Sequence, residues 1–235
     1  MLGEWKSSAN TVNLVDPLNG GTFMTMPDSQ AESELKEFQS SIRQCSKSGL
    51  HNPLKNPERY QKYGDIFFRV ASEMRHKEVE DFFTECVQRV MPKSDTQARG
   101  EVVVTRKFIE NMAGDSPRFL VKGFNVPGDH TGQMSQGFRW PFGPCALITP
   151  FNFPLEIPTL QLFGALMVGN KVLCKVDQKV SIVMEQMVRL MIHCGMDPTD
   201  MDYLNCGGEG MEWIIKNTPE IRNTQFTGSS RIAHK

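Results

Sequence analysis

A regular alternation of strands and helices begins at GPCALITPFNFP, residues 143–154. Within it, Cys145–Thr149 is an apolar run of the length that is typical of a buried strand. Leu155–Val168 follows as an apolar segment of helix length, and Gly169-Asn170 predicts where that helix ends. These residues predict the first strand and the first helix of a parallel sheet.

The alternation continues to the end of the sequence. Lys171–Lys175, Met201–Asn205 and Thr224–Thr227 are predicted strands, and Val180–Cys194 and Met211–Lys216 are predicted helices between them. Strict alternation indicates right-handed crossovers, which build a parallel sheet with helices on both faces. We therefore predict an α/β fold in which residues 143–235 form a βαβαβαβ unit.

The residues before this unit show other patterns. Through about Asp28 the chain is rich in Gly, Pro, Asn and Thr, which predicts an arm or edge ribbon of short strands joined by a turn. From Ser29 to about Ser46, apolar residues recur at spacings of three and four, as in an amphipathic helix, and Gly49 is its predicted stop. Further helices are predicted at about 56–75, 77–91 and 96–123.

Two boundaries follow from these patterns. Residues 1–129 are predicted to form the N-terminal arm and a helical layer. Between residues 130 and 142, glycines and prolines bracket short apolar pieces, which predicts a projecting ribbon. Neither part shows a chemical motif, so the candidate site is expected after residue 142.

Composition excludes several classes of function. The 235 residues carry 26 basic and 27 acidic side chains, a formal charge of −1, and 39% of them are hydrophobic. This balance argues against a nucleic-acid partner, and no run approaches the ~18 apolar residues of a membrane span, so no membrane partner is expected. The six cysteines form no CxxC pair, which favours reduced thiols in a cytosolic or matrix compartment over a disulfide framework. No metal site is predicted.

Ligands of parallel sheets bind beyond the carboxyl ends of the strands, so four loops are candidates for the site. They are residues 149–154, 175–178, 205–210 and 227–230, each between a predicted strand and a predicted helix. Helix N-termini present free N–H groups and a partial positive charge, which suits a pyrophosphate. The sequence has neither Gly-x-Gly-x-x-Gly after a strand nor a Walker A motif, so spacing alone gives a weak nucleotide signal.

Several side chains in these loops suit a nucleotide, and each also has a plain structural interpretation. Gly228 allows close backbone approach, and Ser229 either caps a helix or binds a phosphate oxygen. Lys175 is a donor for a ribose hydroxyl or phosphate, or else a solvated lysine. Asn152 either donates to an oxyanion near the cofactor or is a turn residue.

Several motifs in the same order resemble those of the aldehyde dehydrogenases. Residues 143–154 resemble the strand and oxyanion-asparagine motif of that family, and Gly169–Lys175 and Phe226–Ser229 resemble its next two cofactor-binding motifs. Three further segments are similar to the plant-type delta-1-pyrroline-5-carboxylate dehydrogenases: His51–Tyr60, Gly137–Pro141 and Lys179–Met187. The resemblance covers nearly the whole chain and implies that residues 143–235 are part of a Rossmann-like NAD-binding domain.

The resemblance also implies an activity. It is the NAD-dependent oxidation of glutamate semialdehyde, the open form of pyrroline-5-carboxylate, to glutamate in proline catabolism. In that family a cysteine thiolate attacks the aldehyde, and a glutamate activates the water that releases the acid. A mitochondrial matrix location is implied as well, although no targeting segment is visible and a cytoplasmic location stays open. The ribbon at residues 130–142 resembles the family's oligomerisation arm, which implies a homo-oligomer.

The resemblance assigns roles to individual residues. Asn152 would be the oxyanion donor, Lys175 would bind the adenosine ribose, and Ser229 would meet the pyrophosphate. The other residues implied to bind or line the NAD site are Ile148, Thr149, Pro150, Phe151, Gln178, Gly208, Thr227 and Gly228.

The sequence departs from the family pattern at two positions. Gln178 stands where many members have a glutamate that holds the ribose, which leaves the choice between NAD and NADP open. Ala233 stands where the second glycine of Gly-x-x-x-x-Gly often lies, and alanine still allows close packing.

The family's nucleophilic cysteine, in a Gly-Gln-x-Cys context, and its general-base glutamate both follow the Thr-Gly-Ser motif. None of the six cysteines of this sequence has that context. The sequence is therefore expected to be the N-terminal part of a pyrroline-5-carboxylate dehydrogenase, truncated within the cofactor domain and inactive alone. The alternative is a catalytically inactive, truncated paralogue that binds nucleotide or pairs with a partner.

Overall fold

An antiparallel hairpin forms the N-terminal arm of the computed structural model, which describes residues 1–52 and 54–234. Strand β1 (Thr11–Val15) pairs with strand β2 (Thr22–Pro27). Asp16 stabilises the turn between them because its carboxylate accepts a backbone N–H from two residues further on, at 2.9 Å. The predicted short strands and turn are confirmed.

A layer of helices follows the hairpin. Its members are α1 (Glu32–Arg43), α2 (Arg59–Glu73), α3 (Lys77–Val90) and α4 (Asp95–Val121). Each lies within a predicted helical segment or begins one residue before it, because the apolar spacing identifies the buried face better than the ends. The start of α4 is the best defined, since Ser94 and Gln97 form a reciprocal capping box there.

The prediction that Gly49 ends the first helix is wrong. Helix α1 ends at Arg43, and Gly49 lies in a later turn with a φ of +72°. A side chain at Gly49 would collide with the carbonyl oxygen of Gly169. The glycine therefore permits a close approach between two loops and is not a helix cap.

The projecting ribbon begins earlier than predicted. Strand β3 (Phe124–Pro127) pairs with strand β4 (Met134–Gly137), so the ribbon starts before residue 130. Its first strand follows α4 almost directly, with Gly123 before it and Pro127 as its last residue. The ring of Phe124 lies where a side chain at Gly137 would be, which explains the glycine at that position.

A parallel sheet forms the second half of the chain. Strands β5 (Pro144–Ile148), β6 (Lys171–Lys175), β7 (Met201–Tyr203) and β8 (Asn223–Phe226) lie in the order β7-β6-β5-β8. Helices α5 (Glu156–Met167), α6 (Ser181–His193) and α7 (Gly208–Asn217) connect them, and the short α8 (Ser230–Ala233) follows β8. All strand pairs are parallel, which confirms the predicted α/β class and the βαβαβαβ order.

Both faces of this sheet are buried at its central strands β5 and β6, whereas the edge strand β8 is partly exposed. Leu147 belongs to the larger apolar cluster, which the sheet shares with α2, α5 and α6. Ala146 belongs to a smaller cluster with residues of α1 and α7 on the opposite face. Phe67 of α2 stacks on Phe163 of α5 with ring centroids 4.3 Å apart, which joins the helical layer to the sheet. Within the described residues, no helix has the length and apolar content needed to cross a membrane.

Candidate active site

The four predicted loops lie together at the carboxyl edge of the sheet. Backbone hydrogen bonds extend the ladder past the strand ends: the Thr149 N–H donates to the Lys175 carbonyl at 3.2 Å, and the Thr227 N–H donates to the Ile148 carbonyl at 2.9 Å. The Leu204 N–H donates to the Cys174 carbonyl at 2.9 Å in the same way. The predicted site residues in these loops are therefore neighbours in space.

An apolar cavity of about 550 Å³ opens between α7, β8 and α8. Its walls include the predicted residues Ile148, Lys175 and Gly208. Met211 and Phe226 supply further apolar wall. Phe226 begins the motif Phe226–Ser229, but no role was predicted for its own side chain. Met211 was not predicted because it continues the ordinary apolar pattern of a buried element.

Lys175 stands between this cavity and a second one. The second cavity has a volume of about 610 Å³ and is lined by the hairpin of the arm, by Lys175 and Gln178, and by Gly208. Lys175 is half-buried. Within residues 1–52 and 54–234, no carboxylate or carbonyl pairs with its ammonium group, so the group is available to a ligand at the boundary of the two cavities.

Gln178 is held by a residue of the N-terminal arm. Its Nε2 donates to Asp28 Oδ1 at 2.7 Å. The two positions are separated by 150 residues, and no local pattern signals a contact over that distance. Asp28 is thus a site residue that sequence reasoning missed.

The arm also packs on the loop that follows β7. The Ser29 N–H donates to the Asn205 carbonyl at 2.9 Å, and Asn205 Nδ2 donates to the Pro27 carbonyl at 2.7 Å. A side chain at Gly207 would collide with the amide of Gln30. The side chain of Gln30 therefore occupies the space beside Gly207, next to the first residue of α7.

The loop after β8 leaves a hydroxyl group free. Ser229 takes the position of a helix N-cap but makes no side-chain capping bond, and it is exposed. A side chain at Gly228 would lie 2.6 Å from the ring of Phe226, so this turn needs glycine. Thr227 accepts from Gln161 Nε2 at 2.5 Å, which joins the loop to α5.

The loop after β5 carries Asn152 to the surface. Asn152 is exposed between the exposed rings of Phe151 and Phe153. The side chain of Asn152 makes no hydrogen bond to any described residue, so its amide is free to act as a donor. Earlier in the loop, the hydroxyl of Thr149 is buried without a partner. Ile148 lines the apolar cavity. The next four predicted residues, Thr149 to Asn152, line neither of the two cavities.

The comparison with protein families identifies the chain. The model described as the aldehyde dehydrogenase family matches residues 5–235. The chain belongs to the aldehyde dehydrogenase family. Among curated proteins, the mitochondrial delta-1-pyrroline-5-carboxylate dehydrogenase of Arabidopsis thaliana is 54% identical over 233 residues, which cover 99% of this chain and 42% of that protein.

Solved structures of aldehyde dehydrogenases share the fold. The enzyme from Brucella melitensis biovar abortus 2308 matches with a TM-score of 0.86 at 22% identity, over 99% of this chain and 46% of that one. The NADP-dependent glyceraldehyde-3-phosphate dehydrogenase from Bacillus halodurans C-125 matches with a TM-score of 0.83 at 22% identity, over 100% of this chain and 49% of that one. The chain thus spans about half the length of these relatives.

In this aldehyde dehydrogenase chain, burial makes all six thiols weaker acids. It raises the pKa of Cys145, Cys174 and Cys206 to about 12 and that of Cys86 and Cys194 to about 11. Burial also raises the pKa of Cys45. All six thiols are therefore almost fully protonated at neutral pH, whereas a nucleophilic cysteine needs a lowered pKa.

A buried carboxylate fixes the end of the Asn152 loop. Glu101 Oε1 accepts from the Leu155 N–H at 2.8 Å and from the Glu156 N–H at 3.2 Å, at the start of α5. Its Oε2 pairs with Lys93 Nζ at 2.7 Å. The same ammonium lies 4.0 Å from the centroid of the Phe153 ring. Sequence reasoning missed this anchor because Glu101 belongs to α4, far from the loop along the chain.

We predict that Glu101→Gln destabilises the protein by about 2–4 kcal/mol, because it leaves the Lys93 ammonium buried without a counter-charge. Urea unfolding followed by circular dichroism measures the change. The control is Glu110→Gln on the same helix, where the carboxylate is more exposed and a loss below about 1 kcal/mol is expected. Equal losses in the two variants would contradict the anchoring role of Glu101.

Proposed function

We propose that this chain is the cofactor-binding part of an NAD-dependent dehydrogenase that oxidises L-glutamate γ-semialdehyde, the open form of pyrroline-5-carboxylate, to glutamate. The observation that carries the proposal is the 54% identity to the Arabidopsis enzyme across 99% of this chain. That enzyme's name also supports a mitochondrial location for this protein. A cytoplasmic location is the alternative, and cell fractionation distinguishes the two.

The residues around the cavity suit an adenine dinucleotide. The apolar walls at Ile148, Met211 and Phe226 can cover both faces of a flat base. Lys175 offers an unpaired ammonium for the ribose or a phosphate oxygen, and Ser229 offers an unpaired hydroxyl beside Gly228. The nicotinamide of the bound cofactor would supply the acceptor for the two electrons removed from the aldehyde.

The role proposed for Asn152 is electrostatic. Its free amide would donate to the aldehyde oxygen as that oxygen gains negative charge in the transition state. Such a donor is effective only when its position is fixed in advance, and Glu101 fixes the backbone at the end of the loop.

The aldehyde dehydrogenase proposal predicts that Lys175→Ala weakens NAD binding by about tenfold or more, because a charge-assisted hydrogen bond is lost. Isothermal titration of the 235-residue chain with NAD, at millimolar concentrations suited to weak binding, measures the effect. The control is Lys216→Ala, since Lys216 lines the same cavity but pairs with Glu212 at 2.5 Å. A Lys175→Ala variant that binds NAD as the unaltered chain does would contradict the role of Lys175.

We also propose that the 235-residue polypeptide alone oxidises no aldehyde, because burial raises the pKa of all its thiols. At pH 7.5, iodoacetamide should alkylate the native chain more slowly than the urea-unfolded chain, and the native rate should rise with pH through pH 10. Mixing the chain with NAD and glutamate semialdehyde should yield no reduced cofactor. Formation of reduced cofactor in that assay would refute the proposal.

The ribbon favours a second role, pairing with another copy of the chain. The side chains of Phe124 and Met134 on this ribbon are 66% and 62% exposed. Exposed apolar side chains grouped on a ribbon are typical of a protein interface. We propose a homo-oligomer that uses the predicted segment 130–142 together with strand β3.

The pairing proposal predicts that Met134→Asp shifts the chain from dimer to monomer, because a two-fold interface would bury the new charge twice. Sedimentation velocity measures the change. Leu18→Asp is the control, since Leu18 is 74% exposed and lies in the turn of the other hairpin, between β1 and β2. A monomeric unaltered chain, or a dimer that survives Met134→Asp, would exclude the ribbon as the interface.

A further inference from the structure

We propose that Asp28 of the N-terminal arm sets the preference of this chain for NAD over NADP. The inference rests on the proposed cofactor site and extends it to a residue outside the sheet. Its basis is the hydrogen bond from Gln178 Nε2 to Asp28 Oδ1 at 2.7 Å. Gln178 lines the cavity of about 610 Å³, and Lys175 lines both this cavity and the apolar cavity of about 550 Å³ that is proposed to hold the base.

The position of Lys175 relates the two cavities to the parts of a nucleotide. Lys175 and Gly208 line both of them. With the base in the apolar cavity, the sugar lies at this shared boundary, and a substituent on the sugar is directed toward the cavity that contains Gln178. NAD carries a hydroxyl group at the 2′ position of its adenosine ribose, and NADP carries a phosphate at that position. The wall at Gln178 therefore meets the group in which the two dinucleotides differ.

Asp28 controls which end of the Gln178 amide faces the cavity. A carboxylate only accepts hydrogen bonds, so Gln178 must turn its NH₂ group toward Asp28. Its Oε1 then points the other way and lies 3.6 Å from the position of a Cβ built on Gly207, in the cavity wall. A ribose hydroxyl can donate to this oxygen, whereas an ionised phosphate has no proton to donate.

The Asp28 carboxylate also opposes a phosphate by its charge. Lys175 and Lys179 line this cavity and alone would attract a phosphate. The carboxylate of Asp177, which lines it too, accepts from the Lys179 N–H at 3.0 Å and caps the short 3₁₀ turn there. The carboxylate of Asp28 adds a second negative charge next to Gln178. Discrimination of this kind uses a repulsive group against the wrong ligand.

The position of Asp28 is fixed by the backbone around it. The Asp28 N–H donates to the Asn10 carbonyl at 2.9 Å, and the Asp28 carbonyl accepts from Ser8 Oγ at 3.0 Å. On the other side, Ser181 Oγ donates to the Gln178 carbonyl at 3.1 Å. Because both partners are held, the charge cannot easily move away from an incoming phosphate.

The test compares the dissociation constants of NAD and NADP for the 235-residue chain by isothermal titration. The unaltered chain should bind NAD more tightly. Asp28→Asn keeps the size and an acceptor oxygen but removes the charge and frees the Gln178 amide to turn over. The ratio of the NADP to the NAD dissociation constant should fall by about tenfold or more.

Two further variants isolate the charge at the cavity. The double variant D28N/Q178E moves the carboxylate to position 178, where the new amide at position 28 can donate to it, and should restore the preference for NAD. The control Asp197→Asn removes a carboxylate that caps the other 3₁₀ turn, by accepting the Thr199 N–H at 2.9 Å, away from both cavities. This control should leave the ratio unchanged.

Each other outcome overturns a defined part of the proposal. If the unaltered chain binds NAD but Asp28→Asn keeps the original ratio, Asp28 does not set the preference, and the proposed cofactor site still stands. An equal loss of affinity for both dinucleotides, with a lower Tm, would show that Asp28 has a structural role alone. If the unaltered chain binds neither dinucleotide, the cofactor site itself is wrong, and the role of Asp28 is refuted with it.

Discussion

The backbone hydrogen bonds that continue the parallel ladder past the ends of the strands hold the candidate site together. The Thr227 N–H reaches the Ile148 carbonyl, and the Thr149 N–H reaches the Lys175 carbonyl, so adjacent loops leave the sheet side by side. Parallel strands all end at the same edge, and this edge also receives the start of each following helix. Donors and cavity walls that are widely separated in sequence are therefore neighbours in space.

Burial on both faces explains why the sequence predicted the central strands β5 and β6 so well. A strand that is covered on both sides reads as an apolar run, and Val172–Cys174 and Cys145–Ile148 are short runs of that kind. The predicted and observed strands agree closely for this reason. The helical layer was predicted in the same way, from faces that repeat every three or four residues.

The structural role of a glycine is harder to predict from the sequence than a strand or a helix is. A glycine shows that the backbone needs space or a positive φ, but it does not show why. Gly49 has a positive φ in a turn that approaches Gly169, although a helix stop was expected there. The contact partner decides between the two interpretations, and the partner lies far away in the sequence. The first strand of the ribbon was missed although Gly123 and Pro127 flank residues 124–126.

The most consequential residues of the site are those that periodicity cannot reveal. Asp28 reaches Gln178 from the arm, and Glu101 reaches the start of α5 from the helical layer. Both are carboxylates from the N-terminal half, and both act on loops of the C-terminal half. The sheet places these loops at one edge. It does not fix the orientation of the Gln178 side-chain amide or the backbone position at the end of the Asn152 loop. The arm and the helical layer therefore determine the geometry of the candidate site as directly as the sheet does, and residues 143–235 alone would lack these two contacts.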